Sequence, residues 1–513
     1  MKKVVVVNTT KIFNPFETFL TIGTISFCPD GWWLDCLSLI IAAQLRDAGY
    51  EVTYIDGDNQ MMAPGVIAEA INKIDPNYVI FNTETIDYFR APLSSYENIN
   101  RVVDSIAYHN GCQSRDDVSP QVIVYGTHPC IEIMGLSNKV DYVIKGEGDA
   151  VIVKLIDYLE ENGREIESPN LDRIWRVKDL DELPFPAYDM VLKVPQECSN
   201  FAYSKFTRMK FTQSVLSRGC KIPNLKGKDA PACTFCCRLA TGTCFRAMSP
   251  GRVEEYFDYL ISFGYRSTYI IDDCFAANQD WGKEVCRRLI KRNNDLKFSV
   301  QTRIDVILDE ELVSLMKNAG CMMIGLGVES YNDDLLEIMG KKVTCEKIDS
   351  ALDICKRNGI DVTAFLQLGL KGETQDHRDR TERFLAKNIS EGRIFATGPF
   401  LSCPYVGSIG WEKNKKDYPY YTILESMQKA GLCEGVENEY DARKMWINYD
   451  LGVNEFKDVP SPSNRGWITK KKVWSHPVSI LRQIKKYRPD VFGQWIKYIT
   501  HIGWSKRLEK YFK

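Results

Sequence analysis

The side chains best suited to metal chemistry lie in one stretch. RGC ends at Cys220, and after twelve intervening residues CTFCC supplies Cys233, Cys236 and the adjacent Cys237. Thiolates are soft ligands, and three on one loop can hold three corners of a four-iron cluster while the fourth iron stays open to an outside ligand. An open iron implies catalysis. A closed zinc site would take four donors, here Cys220, Cys233, Cys236 and either Cys237 or Cys244. Chance clustering of buried thiols is the third reading, because free cysteine packs as a small apolar residue. Downstream, the polar pairs Asp272-Asp273, Thr302-Arg303 and Glu329-Ser330 each close an apolar run.

Those pairs fall at the ends of predicted strands. Runs rich in β-branched and aromatic residues at 211–219, 267–273, 297–303, 322–330, 361–370 and 395–403 alternate with helical stretches. The repeat predicts an incomplete (β/α)6 barrel, in which chemistry gathers at the carboxyl ends of the strands. One helix is especially legible: Ser249 can cap it, Pro250 suits its first turn, and Val253, Tyr256, Phe257, Leu260 and Ile261 form an apolar stripe. Ahead of this block, strands at 4–8, 51–56, 78–82, 121–126 and 142–146 alternate with helices at 33–48, 64–73 and 94–108. That pattern predicts a doubly wound, Rossmann-like parallel sheet. Ligands of such sheets sit beyond the carboxyl ends of the strands, so the loops 83–85, 127–129 and 147–149 are candidate binding loops, with ordinary βα turns as the alternative. No GxGxxG follows the first strand, which disfavours a dinucleotide.

The chain has 513 residues, 44% hydrophobic and 26% charged, enough apolar side chain for several cores and too much for extended disorder. Boundaries are predicted at 1–165 for the first domain, 166–205 for a linker containing LPFPAYD, 206–403 for the barrel and 404–513 for an α-rich C-terminal region. A net charge of −2 argues against a nucleic-acid coat. The basic charge is concentrated at the end: residues 470–513 hold 12 Lys or Arg and 2 Asp or Glu. There Ile480, Ile484, Tyr487, Val491, Trp495, Ile496, Ile499 and Trp504 interleave with Lys485, Lys486, Arg488, Lys497, Lys506 and Arg507. The tail reads as a docked helix with a solvated basic face, or as a basic surface for anionic lipid or substrate. MKKVVVVNTT does not resemble a secretory leader, no apolar run reaches the roughly 18 residues of a membrane span, and seventeen scattered cysteines suit a reducing compartment. A cytoplasmic location is expected.

RGC followed by CTFC, with an aromatic before the last cysteine, resembles the cluster loop of radical S-adenosylmethionine (SAM) enzymes. YIIDD (269–273), QTRID (301–305), GLGVES (325–330) and LQLGLKGET (366–374) look like successive strand ends of that family's barrel. VYGTHP (124–129) and VIKGEGD (143–149) look like its cobalamin-binding members, so the resemblance covers roughly residues 1–400. It implies the cobalamin-dependent subfamily, many of whose members are methyltransferases. Two departures stand out. Twelve residues separate Cys220 from Cys233 where the family's CxxxCxxC has three, and the DxHxxG that supplies a lower axial histidine in many cobalamin proteins is missing.

The resemblance implies a 4Fe-4S cluster on Cys220, Cys233 and Cys236, with SAM chelated to the open iron and cleaved to a deoxyadenosyl radical after one-electron reduction. It places Phe235 near adenine, Asp272 or Asp273 on the SAM ammonium, Arg303 on its carboxylate, Glu329 and Ser330 on ribose or ammonium, and Gln367 among the SAM contacts. Cobalamin contacts are implied at Thr83, Glu84, Thr85, Gly126, Thr127, His128, Gly146 and Glu147, with His128 a polar loop contact and not an axial ligand. Plainer roles exist for several: the Asp pair can cap a helix, and Arg303 can form a surface ion pair. The implied partners are a small-molecule or peptide substrate and an external one-electron reductant of flavodoxin or ferredoxin type, with no nucleic acid. The leading expectation is a methyltransferase acting on an unactivated carbon. The rivals are a cobalamin radical enzyme that cyclises, contracts or oxidises without methylation, and a zinc-stapled binding protein.

Overall fold

The computed structural model describes residues 2–9, 35–57, 60, 62, 64–83, 99–106, 120–131, 136–162, 173–191, 210–220, 233–236, 240–293, 295–368, 370, 372–401 and 408–409. The chain divides into two compact units. The first takes residues up to 177 together with 183–195, and the second takes 178–182 and the described residues from 210 to 409.

In the first unit, β1 (Lys3–Asn8), β2 (Glu51–Asp56), β3 (Tyr78–Asn82), β4 (Gln121–Gly126) and β5 (Tyr142–Lys145) form a parallel sheet in the order β2-β1-β3-β4-β5. A run of valines makes β1 because successive side chains feed opposite cores. Val4 and Val6 pack with Ala42, Leu45 and Leu155 on one face, while Val5 and Val7 pack with Ile67, Ile71 and Val102 on the other. The helix Cys36–Asp47 begins where the Asp35 side chain accepts from Ser38 N–H, and the next helix spans Pro64–Ile74. The third expected helix appears over 99–106. Connections depart in opposite directions from β1 and β3, the switch point at which sheets of this order bind ligands.

The second unit holds six parallel strands in the order β6 (Phe211–Ser214), β9 (Ser267–Ile270), β10 (Lys297–Thr302), β11 (Cys321–Glu329), β12 (Asp361–Leu368) and β13 (Ala396–Leu401). The helix Pro250–Ser262 starts with Ser249 accepting from Arg252 N–H, and it buries Val253, Tyr256, Phe257 and Leu260. Phe257 meets Phe298 of β10 edge-on at 6.0 Å, and Phe275 lies 6.3 Å from the same ring. Phe298 therefore faces the helices, and Ser299 and Gln301 face away from them. Their register neighbours Tyr269, Met323 and Gly325 share that inner face, and Tyr269 Oη donates to Gln301 Oε1 at 3.2 Å.

One expected strand is split. Residues 211–219 do not run as a unit: β7 (Ser217–Arg218) leaves the sheet to pair antiparallel with β8 (Arg246–Ala247). Asp272 is the cause. Its Oδ1 accepts from Leu216 N–H at 2.8 Å and its Oδ2 from Ser217 Oγ at 2.6 Å, so a side chain takes the bonds that a neighbouring strand would offer. Among the described residues no helix is long and apolar enough to cross a membrane.

Candidate active site

Cys220 stands just past β7, and its position is set by its neighbours. Gly219 has φ +84°, donates its N–H to Asp273 Oδ2 at 2.7 Å, and packs so close to the Cys244 carbonyl that a Cβ would run into it. Only glycine suits both conditions. Arg303 Nη1 lies 3.2 Å from Cys220 Sγ, and two bonds to Asp305, of 2.8 and 2.6 Å, hold the guanidinium in place. Arg303 is thus not a surface ion pair. The fully buried Cys274 thiol also hydrogen-bonds Cys220, and this bond together with burial pushes it well above the usual thiol range.

Residues 233–236 form a turn in which Cys236 N–H donates to Cys233 O at 3.0 Å, and Thr234 N–H ties the turn to Met339 O at 2.9 Å. The Cys233 thiol is pulled down to about 7 by its hydrogen bond with Cys236, assisted by the Lys341 charge against burial. Cys237 and the segment 221–232 lie outside the described residues, and Cys244 is exposed. Among the described residues no three His, Cys, Asp or Glu side chains close around one point as a single metal ion requires. Cys233 hydrogen-bonds Cys236 and feels the charge of Cys220, so the three thiols are neighbours, and three thiolates are the set that a four-iron cluster takes when one iron stays open.

Glu329 ends β11 at φ +63°, next to a register shift between Gly327 and Glu329. Left-handed backbone at a non-glycine residue costs about 1–3 kcal/mol, and such strain concentrates at functional sites. Here it aims the carboxylate at two donors: Lys341 Nζ at 2.8 Å from Oε1 and Gln367 Nε2 at 2.9 Å from Oε2. Space for the pair comes from Gly327, where a Cβ would sit 2.6 Å from Glu329 Oε1 and 2.7 Å from Lys341 Nζ. Phe235 lies beside them, its ring centroid 5.8 Å from Lys341 Nζ. The structure therefore gathers Cys233, Cys236, Phe235, Glu329 and Gln367 around Lys341, a residue sequence reasoning missed. GKK at 340–342 carries no periodicity that marks a buried lysine.

Other expected contacts are placed differently. Both Asp272 oxygens accept from Leu216 and Ser217, so this buried carboxyl clasps the start of β7 to the end of β9 and is turned away from solvent and ligand. Ser330 Oγ accepts from Asn332 Nδ2 at 3.1 Å, and that amide also donates to His377 O, which points Ser330 toward the helix Gln375–Ser390. Burial pushes Asp272 up to about 7, outweighing the hydrogen bonds from Ser217 and Leu216 that favour its charge, with Asp273 adding to the rise. The folded protein thus holds a proton that an unfolded aspartate releases near pH 4. Its stabilising effect is full below pH 4 and is lost as pH rises toward 7. Measured by urea unfolding, wild type is expected to lose on the order of a few kcal/mol relative to Asp272→Asn between pH 4 and 7. A constant difference across that window would contradict the assignment.

In the first unit, Thr83 Oγ1 donates to Tyr125 O at 2.6 Å, and Asn8 and Asn82 donate to Asp56 and Asp35 at 3.0 and 2.7 Å. Gly146 N–H donates to Gly126 O at 3.0 Å, joining the ends of β4 and β5. The switch point thus carries the side chains of Asn8, Asn82 and Thr83, with the buried carboxyl groups of Asp56 and Asp35 accepting from the two amides. Gly146 and Glu147 serve another purpose. Gly146 lies against the Trp175 backbone, and Glu147 Oε2 accepts from Val177 N–H at 2.7 Å, so the two fasten the segment 175–177. Thr127 is half-buried, and His128 opens the short helix His128–Ile131. Glu84 and Thr85 lie outside the described residues.

Six parallel β/α strands whose carboxyl ends carry a three-cysteine loop define a radical SAM domain. Residues 230–385 match the Radical SAM superfamily model, so this part of the chain is a radical SAM domain. It is similar to an uncharacterised methyltransferase of Pyrococcus horikoshii, at 24% identity over 85% of this chain and 92% of the relative. It is also similar to the anaerobic magnesium-protoporphyrin IX monomethyl ester cyclase of Rubrivivax gelatinosus, at 21% identity over 82% of this chain and 74% of the relative. In fold it resembles TsrM, a radical SAM methyltransferase of Kitasatospora setae solved with cobalamin and a [4Fe-4S] cluster, with a TM-score of 0.58 and 17% identity over 81% of this chain and 78% of that one.

Proposed function

We propose that the protein is a cobalamin-dependent radical SAM methyltransferase acting on an unactivated carbon of a small-molecule or peptide substrate. The observation that carries this reading is that Cys220, Cys233 and Cys236 are neighbours beside Arg303 and Glu329 at the carboxyl ends of barrel strands, in a chain that also carries a sheet of the order β2-β1-β3-β4-β5. The relatives named for methyl transfer support the same reading. A [4Fe-4S] cluster and cobalamin would supply one-electron cleavage of SAM and a methyl group to transfer.

The chain's own residues bind, orient and exclude water. Cys220, Cys233 and Cys236 are the cluster ligands, and Arg303 and Lys341 place positive charge beside them. Phe235 offers an aromatic edge to adenine, and Glu329, held by Gln367, offers acceptors to the SAM ribose or ammonium. Asp272 and Asp273 hold the ligand loop. Asn82, Thr83 and Gly126 at the switch point, together with Glu84, Thr85, Thr127 and His128, would hold cobalamin, with His128 as a polar contact. The reductant is an external one-electron carrier of flavodoxin or ferredoxin type, and the basic tail from Lys470, a docked helix with a solvated basic face or a surface for anionic lipid or substrate, takes no part in the chemistry.

Similarity to the cyclase favours one second reading, a radical reaction that ends without methyl transfer. Anaerobic reconstitution with iron, sulfide and hydroxocobalamin, followed by SAM and reductant, tests both. Deoxyadenosine is expected in every turnover of the radical class, and S-adenosylhomocysteine beside it marks methylation. Protein that binds iron, sulfide and cobalamin yet forms no deoxyadenosine would refute the proposal.

A further inference from the structure

Lys341 is buried and does not belong to the motifs that mark the site. A hydrogen bond from its N–H to Leu336 O at 3.1 Å fixes its backbone, after a turn in which Gly340 adopts φ +70°. The side chain is 8% exposed, and the Glu329 carboxylate with which it pairs is 9% exposed. A buried ammonium is costly unless compensated, and one carboxylate that also accepts from Gln367 compensates it only in part. The remaining field falls on the cysteine turn. Thr234 N–H binds Met339 O, which draws residues 233–236 against residues 339–341, and the ammonium lies beside the Phe235 ring between the two cysteines.

We propose that Lys341 is a positioning residue whose buried ammonium offsets the negative charge of Cys233 and Cys236 and so raises the reduction potential of the cluster they hold. The inference rests on the cluster assignment above and adds to it a residue that sets how readily the site accepts its electron. Reduction adds one negative charge to a centre already surrounded by three thiolates. A fixed positive charge in a low-dielectric site favours the more negative state. Glu329 opposes that effect, so removing either partner shifts the potential, in opposite directions.

The test is a redox titration followed by electron paramagnetic resonance, on full-length protein carrying the cluster but neither SAM nor cobalamin, with dithionite as the one-electron donor. At the potential where half the wild-type cluster is reduced, the ratio of reduced to oxidised cluster is expected to fall about ten-fold in Lys341→Met, a shift of about 59 mV. Lys341→Arg should stay near wild type, and Glu329→Gln should shift the ratio upward. Lys341→Met leaves a buried carboxylate unpaired and can fail to load, so the double variant Glu329→Gln with Lys341→Met, expected between wild type and Lys341→Met, is measured as well. Equal potentials in wild type, Glu329→Gln and the double variant would overturn the proposal, as would an equal fall in Lys341→Arg and Lys341→Met. Wild-type protein that assembles no iron–sulfur centre would instead refute the cluster assignment.

Discussion

Alanine at Cys220, Cys233 or Cys236 is expected to abolish the iron–sulfur absorbance of anaerobically reconstituted protein and to reduce deoxyadenosine formation to background. Cys237→Ala should retain most of both. Loss of an outer partner of a metal ligand costs about 10–100-fold, and loss of the ligand itself should exceed that. The prediction discriminates because twelve residues separate Cys220 from Cys233, which makes Cys237 the obvious substitute. The structure argues for Cys220, whose position is set by Gly219, Asp273 and Arg303. A competent cluster in Cys220→Ala, with loss in Cys237→Ala, would reverse the assignment.

Gly219→Ala is expected to be nearly as damaging although it removes no donor. Alanine in the left-handed region costs about 1–2 kcal/mol, and the added methyl overlaps the Cys244 carbonyl, so the backbone must move. Movement there carries Cys220 away from its partners. Cluster content should fall about ten-fold or more at unchanged far-ultraviolet circular dichroism, on the scale of a lost supporting contact. Gly251→Ala is the control, since that helical glycine meets no atom within 4 Å and the change is expected to stabilise slightly. Equal cluster content in the two variants would mean that Cys220 is not held through its backbone.

Much of this arrangement is legible in the residues because burial and periodicity coincide. The valines of β1 alternate between two cores, and the stripe from Val253 to Leu260 has one face to bury, so pattern alone locates both. Ile261, included in the expected stripe, is only half-buried because it lies at the stripe's edge. The site was harder to read where a side chain replaces a strand. Nothing in STYIIDD tells that Asp272 will bind Leu216 and Ser217, residues more than 50 positions earlier, and so end β6. Lys341 was invisible for a related reason. Its partner Glu329 lies 12 positions upstream, at an αL residue that strand periodicity cannot anticipate. Motifs mark residues that touch ligands, whereas supporting residues are marked only by what surrounds them.

The Asp272 and Asp273 clasp bears on how the protein is assembled in a cell. Zinc fingers and similar small metalloproteins draw much of their folding energy from the metal and stay unfolded without it. Here Asp273 holds Gly219 and Arg303 bonds Cys220, and one sizeable apolar core packs on each face of the first sheet. Folding and metal loading are therefore separate events. Metal-free protein is therefore expected to keep its far-ultraviolet circular dichroism and to take up iron and sulfide without refolding, so that iron supply would set the active fraction and not the folded fraction.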